Sequence, residues 1–483
     1  MSKAFPLAAG LACLYLCFLT ASHYWDGVLF SLYIEKVAER ALPRATLYHP
    51  NHLLYSAIGC AAYQLLHWIG LRVRSITVLQ FINVFASVLC SAIVFRLCKH
   101  LFRSPELAVP CTLLFALGAT WWRFSTDADS YILSVLFLTA AISLVLACRS
   151  RIVLAGICLS LAMLIHELAI FGYVPILVAI WRERISPEAR LRRIPAFVAG
   201  TGAFVTGAYY IAYLATHSQP SATSFLTWIT SISHDTKTTQ SLAQLFVSNA
   251  SSYIKLFGGG KLSLVRDFFS PAVAVALLFS TICVIAVIAT ALRQKTAPEF
   301  PSSITDRRAR VVLWSWIAVY VVFLSWFEPG NAFYKLFIWP AIVLLIGSYL
   351  DRRGKVFTPA FKWFTLGIAS WNFAAFIYPH SHVQADPVLS LAMRIDKELP
   401  KSATVYYKSL SPDDWYLEYF APGRKWKPLP PMSEIRQGST TAPVCFETTA
   451  LPYVQGETDL ALRWNLVNSQ HNVRLECVKP KTN

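Results

Sequence analysis

Long apolar runs separated by short basic turns set the pattern of this chain. Runs of spanning or near-spanning length fall at about 5–21, 52–70, 76–97, 107–122, 130–148, 152–181, 194–215, 271–292, 311–327, 333–350 and 357–378. A helix needs about 20 apolar residues to cross a bilayer, so the spacing predicts an all-α polytopic membrane domain over 1–378. Near 30–42, Phe30, Tyr33, Ile34, Val37 and Ala41 recur at helical spacing, with Glu35, Lys36, Glu39 and Arg40 opposite. That is the pattern of a helix lying along the membrane surface. From 379 on the composition turns polar. Segments 386–399 and 414–420 read as helices, and 403–408, 443–448 and 473–478 as strands, which predicts a small C-terminal α/β domain over 379–483.

Basic residues assign sides. They cluster at 96–103, 149–151, 182–193, 293–310 and 351–355, together with Lys3. The positive-inside rule puts all of these turns in the cytoplasm. That holds only if 52–70, which contains Gln64 and His67, lies in the interface instead of crossing. It also requires 152–181 to be a hairpin with His166 and Glu167 at its tip. Each arm then has about 15 residues, or roughly 22 Å, short of a hydrocarbon core about 30 Å thick. The tip would sit below the outer surface, where ionisable groups must face protein or water. The expected topology has about 11 spans plus juxtamembrane interfacial helices, in a bacterial plasma membrane. The N-terminus is cytoplasmic, and 22–75, 123–129, 166–167, 216–270, 328–332 and 379–483 are extracytoplasmic. Within 216–270, Ser and Thr are frequent and three glycines stand at 258–260. A surface helix near 239–256 and a mobile hinge are expected there.

Composition narrows the class. Only 14% of the 483 residues are charged and 55% are hydrophobic, against roughly 25% charged in soluble chains. The net charge of +17 does not mark a nucleic-acid binder, because most Lys and Arg sit in the short turns. The partners are membrane lipids. No small-x-small cleavage pattern follows the first run, so it reads as a retained helix. Of 11 cysteines, nine lie in or beside apolar runs, where Cys acts as a small hydrophobe. Cys445 and Cys477 stand apart in the polar region. A bridge between them and two free thiols are equally open.

The polar clusters all fall on the expected outer side. Asp26, His49, Asn51 and His52 come from the first excursion, and Arg123, Asp127 and Asp129 from the next outer loop. His166 and Glu167 form the hairpin tip, and Glu328, Asn331, Tyr334 and Lys335 lie in FEPGNAFYKLF. Each has a plain reading beside a functional one. Asp26 is either a solvated carboxylate or a catalytic one. His49 and His52, three apart, are either hydrogen-bonded at an interface or metal ligands. Asp127 and Asp129 cap the helix from Ser130 or orient an acceptor. His166 and Glu167 pair with a neighbouring helix or act in catalysis, since a buried unpaired pair is costly. Lys335 snorkels or, with Arg123, meets a lipid phosphate. The chain has no Walker A loop, no GxGxxG opening a helix, no HExxH and no nucleophile elbow. Nucleotide-dependent chemistry on the inner side therefore has no site.

This order of motifs resembles the GT-C glycosyltransferases of the protein O-mannosyltransferase and aminoarabinose transferase type. The likeness rests on Asp26 in YWDG after the first helix and on LYHPNHLLY opening a juxtamembrane helix. It also rests on the basic FRLCKHLFR turn and on Asp127 and Asp129 before the following helix. It covers roughly residues 1–180. Where many relatives read HPP, this chain has His49-Pro50-Asn51, and a single Asp26 replaces an Asp-Glu pair. The resemblance implies transfer of a sugar from a polyprenyl-phosphate carrier to an extracytoplasmic acceptor in the cell envelope. Asp26 would be the general base, an aspartate near the usual 3.9 and already ionised at pH 7. Arg123 and Lys335 would stabilise the departing phosphate. A divalent metal stays open, and no other cofactor is implied. The rival readings are a transporter or flippase of lipid-linked saccharides and a non-catalytic envelope assembly protein. A transporter should show internal pseudo-symmetry, which the sequence lacks.

Overall fold

The first apolar run folds as α1 (Ala4–Cys17). We describe a computed structural model over residues 4–147, 151–183, 185–217, 221–230, 241–293, 304–353, 357–399, 401–408, 413–431, 444–447, 450, 462–468 and 473–478. After α1 the chain is pinned by what it meets. The Thr20 amide donates to the Thr126 carbonyl (3.1 Å), and the Ala21 and Ser22 amides donate to that of His380 (2.8 and 3.1 Å). The amphipathic segment begins earlier than its apolar spacing predicts. It forms α2 (Trp25–Ala38), which places Asp26 in a first helical turn. Phe30, Ile34 and Val37 bury one face. Arg40, at φ 62°, ends the helix in the left-handed region, and the Ala41 amide reaches back to the Lys36 carbonyl (2.8 Å), a common helix stop.

The segment expected to lie in the interface forms α3 (Tyr55–Trp68), fourteen residues or about 21 Å. Its Gly59 leaves no room for a Cβ beside Leu79 and Ile34, so α3 packs on α2 and on α4 (Ser75–Leu101). The helices that follow are α5 (Ala108–Leu117), α6 (Ala119–Ser125), α7 (Tyr131–Ala147), α8 (Ile152–Ile165), α9 (Tyr173–Trp181) and α10 (Pro187–Thr216). Then come α11 (Ala222–Thr230), α12 (Leu242–Phe257), α13 (Leu262–Asp267), α14 (Pro271–Leu292), α15 (Ile304–Phe327), α16 (Trp339–Arg352), α17 (Thr358–Asn372) and α18 (Tyr378–His380).

The chain is a multi-pass membrane protein, but eleven spans is too many. Among the described residues five helices are long and apolar enough to cross: α4, α10, α14, and the stretches 307–327 and 334–352. A bent pair, 105–117 with 119–125 at 66°, would make a sixth. Four more apolar helices, Phe5–Cys17, Tyr131–Leu146, Ile152–Ile165 and Glu167–Trp181, have only 10–17 residues. The apolar runs are present, yet several are cut. Gly118 breaks one, where a Cβ would lie 2.7 Å from the Trp339 ring and 2.8 Å from the Leu256 carbonyl oxygen. His166, at φ −154° and ψ 125°, breaks another. Both cuts adjoin buried protein, the setting in which irregular backbone is tolerated at membrane depth.

The bundle has two unlike ends. Arg308 donates to the carbonyls of Val145 (3.1 Å) and Ala179 (3.0 Å), so α7 and α9 finish together and 152–181 is a hairpin. The Asp351 carboxylate accepts the amides of Arg103 (2.9 Å) and Ser104 (2.8 Å), which joins the end of α4 to the end of α16. Asn83 of α4 bonds the carbonyl of Asp129 (2.6 Å), two residues before α7. The two helices therefore start near each other and run the same way. The basic turns gather at their far end; residues 148–150 and 294–303 lie outside the described residues. The polar outer loops and the C-terminal part gather at the near end.

The 216–270 segment contains the expected surface helix, α12, with a capping box from Ser241 and Gln244. The glycines at 258–260 pack closely. The Gly259 amide donates to Asn372 Oδ1 (3.1 Å) and its carbonyl accepts from Trp371 Nε1 (3.0 Å). At Gly260, φ is 99° and a Cβ would sit 2.1 Å from the Ala375 carbonyl oxygen. Glycine serves here for close approach and a left-handed turn. Asn249, of the Asn-Ala-Ser triplet, is engaged inside the protein with Ser325 and Lys335.

The C-terminal part adds α19 (Pro387–Glu398), β1 (Thr404–Tyr407), α20 (Asp413–Phe420), β2 (Lys425–Pro428), β3 (Val444–Glu447), β4 (Leu462–Asn468) and β5 (Val473–Val478). The sheet order is β2-β1-β3-β5-β4. Strand β1 is parallel to β2 and β3, and β5 antiparallel to β3 and β4. Strand β2, reading KWKP, gave no strand signal because it is short and proline-ended, as edge strands are. Cys445 is disulfide-bonded, and the register sets Cys477 opposite it. This part docks on α2 through Tyr419. Its hydroxyl donates to Glu35 Oε1 (3.0 Å) and accepts from the Ile76 amide (3.1 Å), while the Arg74 guanidinium stacks 3.9 Å from its ring.

Candidate active site

The loop between α6 and α7 and the start of α2 lie against each other. Gly27 allows it: a Cβ there would be 2.4 Å from the Ala128 carbonyl oxygen. On one side of this contact is half-buried Asp26, and on the other are Asp127 and Asp129, both fully buried. Asn83 holds the loop from α4, donating to the Asp127 carbonyl (2.8 Å) and the Asp129 carbonyl (2.6 Å).

Asp127 is satisfied by four donors. They are Arg123 Nη1 (2.8 Å), His23 Nδ1 (3.0 Å), the Tyr24 amide (2.9 Å) and the Ala128 amide (2.9 Å). Burial pushes this carboxyl up, but Arg123 and the bonds from His23 and Tyr24 prevail and hold it down at about 2. Arg123 also donates to Thr20 Oγ1 (2.8 Å) and to the Ser22 carbonyl. Three of its five N–H groups are thus taken, leaving two.

Asp129 is different. Its Oδ1 accepts the Ser130 amide (2.6 Å), while its Oδ2 is buried with no hydrogen-bond partner. Burial first, then the nearby Asp26 and Asp127 carboxylates, push it well above the usual carboxylate range. Asp26 itself is lifted by burial to about 7. This differs from the ordinary aspartate expected, because the helix start carrying Asp26 is largely buried instead of lying in water. Both carboxyls raise Tyr24 well above a free phenol, after burial.

The histidines form the back wall. The Ser130 hydroxyl and His52 Nδ1 are 3.0 Å apart. His52 stacks near His49 (5.9 Å between centroids) and meets His166 edge-on (4.7 Å). Burial, then His49, lowers His52 to about 3, so it is neutral. His166 Nδ1 accepts the Leu168 amide (3.2 Å). Asn51 lies in the short 3-10 turn Pro50–His52, which Tyr209 fastens through the Pro50 carbonyl (2.6 Å). Among the described residues no group of three or more His, Cys, Asp or Glu is arranged to hold a metal ion.

Several sequence candidates are placed elsewhere. Glu167 is exposed while His166 is buried, so the two are not a buried pair. Asn331 caps its own turn through the Phe333 amide (3.1 Å). Lys335 is fully buried, and its ammonium donates to Asn249 Oδ1 (2.8 Å), the Pro329 carbonyl (2.6 Å) and Ser252. Those three acceptors use all three of its hydrogens.

A cavity of about 630 Å³ meets this site at Arg123, the partner of Asp127. Lys255, Lys261 and His380 share its walls with Arg123, and Asp267 lines it too. Burial, then Arg123, lowers His380 to about 4, so the positive charge comes from the arginine and two lysines. Phe124 and Phe333 line the cavity and pack on Tyr24, at 5.8 and 4.9 Å between centroids. Tyr24, two residues before Asp26, thus packs on the aromatic wall of the cavity. Sequence reading missed His23, Asn83, Lys255 and Lys261. Asn83 had a signal, as a lone amide inside an apolar run. Lys255 and Lys261 had none, since they flank the glycines at 258–260 and lie 132 and 138 residues beyond Arg123 in the chain.

No family model and no curated protein matches the sequence. Solved structures do match in fold. The chain is similar to ArnT from Cupriavidus metallidurans in the apo state, with a TM-score of 0.54, 11% identity and coverage of 98% of this chain and 97% of that one. The same protein bound to undecaprenyl phosphate matches with a TM-score of 0.50, at the same identity and coverage. The chain shares the fold of ArnT over nearly its whole length.

Proposed function

We propose that the chain is a membrane glycosyltransferase that moves a sugar from a polyprenyl-phosphate carrier to a hydroxyl acceptor, with Asp26 as general base. One observation carries this reading. A raised, half-buried carboxyl stands two residues from Tyr24, which packs on Phe124 and Phe333 in the wall of a basic cavity. The fold shared with ArnT, which binds undecaprenyl phosphate, supports the choice of carrier.

The chemistry assigned to each side follows from charge. Asp26 takes the proton of the acceptor hydroxyl as its oxygen bonds to the anomeric carbon. The bond from that carbon to the phosphate oxygen breaks, and its electron pair leaves with the phosphate. Polyprenyl phosphate is a stable anion and needs cations more than a proton. Arg123, with two free N–H donors, and Lys255 and Lys261 supply them. Lys335 has no hydrogen left for this task. Asp127 positions Arg123, and neutral His52 and His166 shape the wall behind Asp129. The basic turns at the far end of the bundle put that end in the cytoplasm, so the site faces outward, at the level of the outer leaflet.

Replacing Asp26 with Asn tests the assignment. The Asn variant keeps the size of the side chain and loses the base. Release of polyprenyl phosphate from a lipid-linked sugar should fall by about 10²–10⁴-fold, with carrier binding unchanged. Full turnover by that variant would remove Asp26 from the mechanism.

A further inference from the structure

At the opposite end of the bundle, a groove of about 660 Å³ runs between the end of α4, the start of α5 and the face of α17. It shares no residue with the site above. Lys99 and Lys362 are exposed on its walls, and Glu106 also lines it. Deeper in, its walls are apolar, with Phe95 and Leu113 among them.

One residue on this wall is out of place for a simple lipid-facing surface. Thr365 is only 1% exposed, and its hydroxyl has no hydrogen-bond partner. A helical threonine normally returns its hydroxyl to the carbonyl four residues back. Thr112, Thr281 and Thr290 do so here, at 2.7, 3.0 and 2.7 Å. Thr365 does not, and an unmade bond at a buried hydroxyl is costly.

The order of groups along the groove identifies what would use it. Two ammonium groups come first. Thr365 lies three residues beyond Lys362 on the same helix face, about 4.5 Å further along the axis. Hydrocarbon-lined space follows. An anionic glycerophospholipid carries the matching sequence: a phosphate, then an ester carbonyl, then an acyl chain. A polyprenyl phosphate goes from phosphate directly to hydrocarbon and would leave Thr365 unpaired. A free phosphate would leave the apolar walls bare. We propose that this groove is a binding site for an anionic glycerophospholipid, with its phosphate between Lys99 and Lys362 and an ester carbonyl accepting the Thr365 hydroxyl. It stands independently of the glycosyltransferase reading.

The test uses the full chain in detergent, titrated with phosphatidylglycerol, phosphatidylcholine, polyprenyl phosphate or inorganic phosphate, and read by native mass spectrometry and thermal unfolding. Phosphatidylglycerol should bind and raise the melting temperature. The double variant K99Q/K362Q should weaken it about tenfold, a loss that fades in high salt. Thr365→Val removes one hydrogen bond and should weaken binding about fivefold. Because it also deletes an unpaired hydroxyl, the lipid-free variant should melt no lower than the parent. That sign separates a ligand contact from a structural one. Equal binding of phosphatidylcholine, or phosphatidylglycerol binding indifferent to both variants, would overturn the assignment. So would polyprenyl phosphate binding that depends on Lys99 and Lys362, or competition by inorganic phosphate alone.

Discussion

Transfer by this site should titrate with the Asp26 carboxyl, and the structure sets the pH at which it does. Burial lifts Asp26 to about 7. Asp129 is raised as well, by burial and then by Asp26 and Asp127. Asp127, at about 2, stays ionised throughout. Asp26 is the group that the proposed mechanism uses as a base. A base acts when deprotonated, so the rate rises with pH. With a midpoint near 7, the active form is about 10% at pH 6 and about 90% at pH 8, and kcat/KM should rise roughly tenfold between them. An aspartate near 3.9 would give a flat profile over that range. The assay is release of polyprenyl phosphate by protein in liposomes, at low donor concentration, between pH 5.5 and 8.5. Asp129→Asn sharpens the test. Burial is what lifts Asp26, so the midpoint should remain near 7 when the neighbouring carboxyl becomes an amide. A midpoint well below 6 in that variant would mean that Asp129, not burial, raises Asp26. A flat profile in the parent would refute the raised Asp26 carboxyl as the titrating base.

Arg123→Met leaves Asp127 buried beside no arginine, which should cost about 3–5 kcal/mol and show as a lower unfolding temperature; Arg123→Lys should recover only part, because one ammonium cannot replace the forked contacts to Thr20, Asp127 and Ser22. Lys335→Met should lower thermal stability and leave the KM for the lipid donor unchanged in the folded fraction. Lys261→Gln should do the reverse, raising KM with little change in melting. A cysteine at Leu71, which is 53% exposed just after α3, should react with an impermeant thiol reagent from outside the cell; protection there would reverse the sidedness.

How much of this was legible depends on what kind of signal each feature carries. The apolar runs, the hairpin at 152–181 and the short helix at 55–68 were readable because hydropathy and basic turns report them directly. The number of spans was not. Gly118 and His166 cut apolar runs without any change in hydropathy, since their breaks are forced by Trp339, Leu256 and the buried polar loop, which are distant in sequence. The placement of the candidate residues was partly readable: Asp26, Arg123, Asp127, Asp129 and His52 do lie in one region. Their states were not. Whether a carboxyl sits at 2 or at 7 is decided by which partners fold onto it, and SHYWDG looks the same either way. Lys335 and Lys261 make the same point. Both are lone lysines near outer helix ends, yet one is sealed in by Asn249, Ser252 and Pro329 and the other opens on a cavity.

A buried carboxyl with a raised pKa is useful only if its position is fixed, since misplacement by about 1 Å can cost 10²-fold in rate. Helix α2 is held at both ends for that reason. At its start, Gly27 lies against Ala128, so Asp26 cannot shift without moving the loop that Asn83 and Arg123 hold. Nine residues on, Glu35 receives Arg74 Nε (2.9 Å), the Ser75 amide (3.0 Å) and the Tyr419 hydroxyl (3.0 Å). Phe420 also stacks on His23 (5.9 Å between centroids), the residue that bonds Asp127. The C-terminal part thus grips both the helix bearing Asp26, the proposed base, and the segment that bonds Asp127. Its contribution to the site is positional, and it explains why a polar region of this size folds back onto a helix 380 residues away in sequence when it has a core of its own.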